Sequence, residues 1–173
     1  VAAFYGNVCY VNERGEKSGP RVPPHPFSIE RYVCQDLVPP FCSSFFRRQA
    51  VEKAGLHGHP WRYGLGEFEF WIRVAGAGEI IYQPYDISYF GRHAQSNTRT
   101  VEIYDGLTAA RERVMADLFR ENEILRTCNV SVEQAIAGNY AWAADSVFKV
   151  EGPSERWEYF VRQAERYDPN AAR

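Results

Sequence analysis

A carboxylate that follows two glycines and opens an aromatic run is the most reactive-looking feature of this sequence: Trp61-Arg62-Tyr63-Gly64-Leu65-Gly66-Glu67-Phe68-Glu69-Phe70-Trp71-Ile72-Arg73. Glycines here let the chain bend sharply and bring backbone close to a ligand. The spacing predicts a helix over 67–75, with Glu67 in its first turn. At i, i+3, i+4 and i+7, Glu67 shares a face with Phe70, Trp71 and Val74, which predicts an inward carboxylate, whereas Glu69 falls on another, solvated face. Free backbone N–H groups and the helix dipole hold a carboxylate ionised at such a position. Beside a cleft it can take a proton from an incoming hydroxyl. The competing reading is that Glu67 only caps the helix.

Two other clusters carry chemistry. In Pro39-Pro40-Phe41-Cys42-Ser43-Ser44-Phe45-Phe46-Arg47-Arg48, hydroxyls at a strand start precede two arginines, a set suited to a polar or phosphorylated ligand or simply to a polar loop before a strand. In Tyr89-Phe90-Gly91-Arg92-His93-Ala94-Gln95-Ser96-Asn97-Thr98, a His after a strand end beside Arg suits phosphate or metal contact, or a structural role. Cys9, Cys34, Cys42 and Cys128 make no C-x-x-C pair and read as free thiols.

The elements that must position these residues divide the chain near Thr100. Residues 1–100 hold all four His, eight of ten Pro and ten of thirteen Gly, with 11 basic and 9 acidic residues; residues 101–173 hold 9 basic and 13 acidic. The first region reads as strands over 1–11, 43–46, 79–83 and 87–90, the last two separated by Pro84. Among them lie helices over 29–37, 48–54 and 67–75, with Pro20 to Pro26 as an extended link. Mixed strands and helices of this kind predict an α/β mixed sheet with flanking helices, followed by an α-helical C-terminal region. There, helices are expected over 108–125, 131–144 and 154–167, the last two opening on serine N-caps. This tail reads as a plain helical appendage or as a single tetratricopeptide-like unit. A formal net charge of -2 excludes a protein held to nucleic acid mainly by phosphate charge, and the short apolar runs predict no transmembrane segment.

Taken in order, the segments from Val1 to Asn97 resemble the second half of the catalytic domain of family 2 inverting glycosyltransferases, which have the GT-A fold. The resemblance runs through Tyr5-Gly6-Asn7-Val8 with Asn12-Glu13-Arg14-Gly15, then Pro39-Pro40 with Ser43-Ser44, Phe46-Arg47-Arg48 and Glu52-Lys53-Ala54-Gly55. It continues through Arg62-Tyr63-Gly64 to Trp71-Ile72-Arg73 and ends at Tyr89, Arg92-His93 and Ser96. It implies that residues 1–100 are the acceptor-and-base half of such a domain. Glu67 stands where the catalytic Asp is expected, and Gly66 replaces the acid before it. Ser43, Ser44, Trp61 and Tyr63 fall at the acceptor pocket, Arg92 at the diphosphate, and His93 at a metal or diphosphate contact; Trp71 reads as core. The family also implies Mg²⁺ or Mn²⁺, a nucleotide-sugar donor and a glycan or other hydroxyl acceptor, with no nucleic-acid partner. The metal-binding Asp-x-Asp occurs nowhere in this chain, so the nucleotide-holding half is expected upstream of Val1, and this chain alone is expected to be inactive.

The implied activity is sugar transfer with inversion, as in polysaccharide synthesis, in the cytoplasm or at the membrane's inner face. A half-domain is expected to leave an apolar sheet face open and to self-associate through it. The alternative is a non-catalytic interaction or assembly module derived from a glycosyltransferase.

Overall fold

The computed structural model of the chain describes residues 1–21, 25–55, 66–91 and 102–171. Its centre is strand β1 (Ala3–Val11), whose Tyr5 and Val8 are fully buried. One edge of β1 pairs antiparallel with β2 (Lys17–Arg21) at its far end and with β3 (Ser44–Phe46) at its near end. Along the other edge β4 (Ile80–Gly91) runs parallel to β1, so the four-stranded sheet is mixed, as the sequence predicts. Asn12 shapes the turn after β1: its side-chain carbonyl accepts the N–H groups of Arg14 and Glu16, and Gly15 takes φ 77°.

The break expected at Pro84 is a bulge inside one continuous strand. Gly6 pairs with Gln83 and Asn7 with Asp86, so Pro84 and Tyr85 are looped out of the ladder. A bulge is where a strand can hold a residue with no N–H to give. Gly6 is required opposite it, because an added Cβ would lie 2.8 Å from the Tyr85 carbonyl oxygen.

Helix α1 (Ile29–Val33), capped by Ser28, is shorter than the expected 29–37 span. It stops because Gln35 takes the left-handed conformation at φ 62°. Helix α2 (Arg48–Ala54) ends on Gly55 at φ 80°, and α3 (Gly66–Ala77) packs on the sheet. Its Trp71, fully buried, lies 5.0 Å from the Phe46 ring and 6.3 Å from the Tyr5 ring.

The C-terminal region consists of α4 (Glu102–Glu121), the short α5 (Glu123–Arg126), α6 (Val132–Glu151) and α7 (Glu155–Tyr167). Ser131 and Ser154 cap α6 and α7, and Gln134 completes a capping box with Ser131. Helix α6 runs seven residues beyond the expected 131–144 span to Glu151, whereas the expected 108–125 helix starts earlier and is divided at Asn122. One hydrophobic core runs from Ala2 through Trp71 to Met115, Tyr140 and Phe160, so sheet and tail share an interior. Among the described residues no helix is long and apolar enough to cross a membrane. The exposed apolar side chains include Phe4 and Phe45, stacked at 4.9 Å on neighbouring strands.

Candidate functional site

Glu67 occupies the first turn of α3, as the glycine-carboxylate spacing predicts, but the burial phase is the reverse of the expected one. Glu67 is exposed, while Glu69 is largely covered and lies 3.8 Å from Arg73. The inward stripe consists of Phe68, Phe70, Trp71, Ile72 and Val74. The sheet and α1 both press on this helix, so a wider arc is buried than a single i, i+3, i+4, i+7 row describes.

Glu67 lines a cleft of about 180 Å³ with Tyr32 and Gln35 from the α1 end and Arg111 from α4; Phe68, Val38 and Leu107 form its apolar wall. Tyr32, 2% exposed, donates its hydroxyl to the backbone carbonyl of Phe68 at 3.3 Å and more distantly to that of Glu67 at 3.5 Å. Burial pushes the Tyr32 phenol well above its ordinary pKa; the negative charge of Glu67 adds to this, and the Arg111 guanidinium opposes it. The hydroxyl therefore stays protonated and acts as a donor.

Arg111 is 8% exposed, with its guanidinium between the rings of Phe68 at 4.9 Å and Trp142 at 5.1 Å. One of its terminal nitrogens donates to Asn139 Oδ1 at 3.0 Å. Burial lowers its pKa to about 10, and Tyr32 and Glu67 pull it back up. It remains a cation at neutral pH, held beside Glu67 by two aromatic faces. Gln35, 5% exposed, donates its amide to the Tyr32 carbonyl at 3.1 Å, while its Oε1 has no hydrogen-bond partner. Arg111 Nε is likewise buried without one. A carboxylate, a cationic residue and a tyrosine thus border one small cleft.

Ser43 and Ser44 do not line it. Ser43 is fully buried, its Oγ 2.7 Å from the Gly6 carbonyl oxygen, and Ser44 donates to the Pro40 carbonyl at 2.7 Å. The Ser43 hydroxyl pins the turn at 41–43 to β1, the Ser44 hydroxyl closes that turn on Pro40, and the cleft beside Glu67 is shared instead with α1 and α4. Arg48 pairs on the surface with Glu52 at 3.6 Å. Trp61, Tyr63, Arg92 and His93 lie outside the described residues.

Gln35 also borders a larger cavity of about 560 Å³ edged by Asp36, Asp145 and Asp168. That cavity has neither a carboxylate at a helix start nor a buried cation, so the smaller cleft is the better candidate for chemistry. The chain matches no family model, no curated protein and no solved structure. The metal that the resemblance implies has no fitting donor set among the described residues, which contain no group of three or more His, Cys, Asp or Glu able to hold one. The cleft itself offers one carboxylate.

Residues Tyr32, Gln35 and Arg111 were not marked by any motif. Arg111 had a signal, since it stands four after Leu107 and three before Val114, inside the apolar stripe of α4. A charged residue in a buried row is costly unless it meets a partner.

Proposed function

We propose that this chain supplies the acceptor-and-base half of a GT-A-like inverting glycosyltransferase, with Glu67 as general base, working in the cytoplasm or at the inner face of a membrane. The observation that carries the reading is the position of Glu67: a carboxylate in the first turn of α3, at the edge of a cleft whose inner wall holds the Arg111 guanidinium. The residue series from Val1 to Asn97 adds the family resemblance.

In the proposed reaction, Glu67 takes the proton of the acceptor hydroxyl as its oxygen forms a bond to the anomeric carbon. The bond from that carbon to the nucleoside diphosphate breaks, and the diphosphate leaves with the electron pair. Attack from the face opposite the leaving group inverts the centre. Arg111 and Glu67 attract each other electrostatically across the cleft.

The test is transfer in a protein that carries residues 1–173 together with a nucleotide-binding segment. Nucleoside diphosphate release is measured against a panel of nucleotide sugars and hydroxyl acceptors. Release that depends on both the acceptor and Glu67 supports the reading. Release indifferent to Glu67→Gln, or no release with any donor, moves the assignment to an assembly module.

A further inference from the structure

We propose that Asn139, in the middle of α6, is a positioning residue: it holds the Arg111 guanidinium in place at the cleft shared with Glu67, and through that cation sets how readily Glu67 takes up a proton. The consequence for sugar transfer rests on Glu67 being the base. The link from Asn139 through Arg111 to Glu67 does not.

Asn139 is 1% exposed, and both polar atoms of its side chain are engaged. Its amide nitrogen donates to the carbonyl of Val33, the last residue of α1, at 2.8 Å and to the Ala135 carbonyl of its own helix at 2.7 Å. An amide nitrogen has two hydrogens, and these two bonds use both. Oδ1 is left to accept, and a terminal nitrogen of Arg111 donates to it at 3.0 Å. Turning the amide over would set its oxygen against two carbonyls and its hydrogens against a cation. The backbone of α1 and α6 therefore dictates that an acceptor meets Arg111.

Arg111 needs such a direction. Its guanidinium lies over the rings of Phe68 at 4.9 Å and Trp142 at 5.1 Å. An aromatic face attracts a cation without choosing which nitrogen points where, whereas a hydrogen bond weakens steeply off its axis. Asn139 and Trp142 stand three residues apart on one face of α6, so a single helix presents both the ring and the acceptor. Phe68, the other ring, follows Glu67 directly in α3. The guanidinium is thus located relative to the very turn that carries the carboxylate.

Among the described residues, the titratable side chains lining the cleft are Tyr32, Glu67 and Arg111. Tyr32 stays neutral where carboxylates titrate, because burial pushes its phenol up. On α3 itself, Glu69 and Arg73 lie 3.8 Å apart and offset each other. A neighbouring cation favours the ionised form of a carboxylate, and its effect falls with separation. Arg111 exerts that effect on Glu67 steadily only while Asn139 keeps it from swinging away.

NMR titration of the Glu67 side-chain carboxyl carbon, in the whole chain, tests the proposal. Glu67 is expected to titrate below the ordinary value of about 4.3, and Arg111→Met to return it there. Asn139→Ala keeps Arg111 but removes its acceptor, and should recover at least half of that rise. Val147→Ala, fully buried and two turns further along α6, removes neither partner of the bond. It should lower the urea midpoint yet leave the Glu67 titration where it was. In the unmodified protein, the Arg111 terminal nitrogens should give separate resonances, the mark of restrained rotation, and should shift with the same midpoint as Glu67. The proposal is overturned if Asn139→Ala leaves the titration unmoved, or if Val147→Ala moves it as far. Terminal nitrogens that are averaged, or indifferent to the Glu67 titration, overturn it equally. In a protein that also carries a nucleotide-binding segment, the acid limb of the transfer rate should follow Glu67 through the same variants. A limb that stays fixed while the Glu67 titration moves overturns the base assignment and leaves the role of Asn139 standing.

Discussion

Gly138, in the middle of α6, lies against the backbone of Cys34 so closely that a Cβ built on it would stand 2.5 Å from the Cys34 carbonyl oxygen and 2.8 Å from its Cα. The contact fixes the distance between α6 and the end of α1, where Gln35 turns toward the cleft. Alanine is the better helix former by about 1 kcal/mol, so an exposed Gly138→Ala would stabilise. Here the backbone must move instead, and overpacking of this kind costs about 1–3 kcal/mol. Gly138→Ala should lower the urea midpoint. A raised midpoint would show that α6 can shift freely.

Alkaline pH should unfold the protein cooperatively, led by its buried tyrosines. Tyr5 is fully buried, donates to the His25 carbonyl at 2.6 Å, and has its pKa raised from 10.0 to about 12, by burial first and by Tyr82 second. The unfolded chain loses this proton near pH 10 and the folded chain near pH 12, so between them the folded state binds more protons and stability falls as pH rises. Tyr32, Tyr140 and Tyr167 are raised too and act in the same direction. Arg111 opposes them: burial lowers its pKa to about 10, so losing its charge above that pH favours the folded state. Tyr5→Phe should cost about 1 kcal/mol at neutral pH through the lost hydrogen bond. It should also flatten the alkaline limb by on the order of 2–3 kcal/mol. Tyrosinate absorbance rising well before unfolding would contradict this.

Glu112 ties three helices together. From α4 it accepts the hydroxyls of Tyr140 in α6 and Tyr167 in α7, whose rings are stacked at 6.2 Å. Glu112→Ala leaves both half-buried phenols without their acceptor, at about 1–3 kcal/mol each before solvent makes good part of the loss. Glu112→Gln keeps an acceptor oxygen and should cost less than half as much. The two melting temperatures, compared with the native one, check the order.

The helical tail was legible because its signals are local: serines 131 and 154 sit where the helix must begin, and each side chain caps the backbone N–H three residues on. The strand at 80–91 was not. Pro84 reads as a break in one dimension, and only the pairing with Gly6 and Asn7 shows the chain continuing past it. Ser43 and Ser44 look like ligand residues by type, yet burial against Gly6 and Pro40 uses their hydroxyls. The cleft was half visible. Glu67 was found from its own segment, whereas Gln35 depends on a backbone turn with no glycine to announce it, and Arg111 comes from 44 residues further along the chain.

The two carboxylates of α3 give the sharpest separation between catalysis and structure. Glu67 is exposed at the cleft, and Glu67→Gln keeps its shape while removing its capacity as a base. Transfer should fall about 10²–10⁴-fold with the unfolding midpoint nearly unchanged. Glu69 is the reverse case. Its side chain is 16% exposed and lies 3.8 Å from Arg73 Nε, an atom with no hydrogen-bond partner. Arg73 is fixed on its other side by donating to the Ala54 carbonyl at 3.1 Å, so it cannot swing into solvent without releasing α2. Glu69→Gln therefore leaves a largely buried guanidinium facing a neutral amide, at about 1–2 kcal/mol, and should lower the midpoint while transfer per folded molecule stays within about twofold. Nucleoside diphosphate release, in a protein that also carries a nucleotide-binding segment, and urea unfolding, measured on both variants, give a crossed pattern if α3 places its two acids in these roles. If transfer instead falls with Glu69→Gln and survives Glu67→Gln, the base belongs to another residue and the cleft beside Arg111 is a binding surface alone.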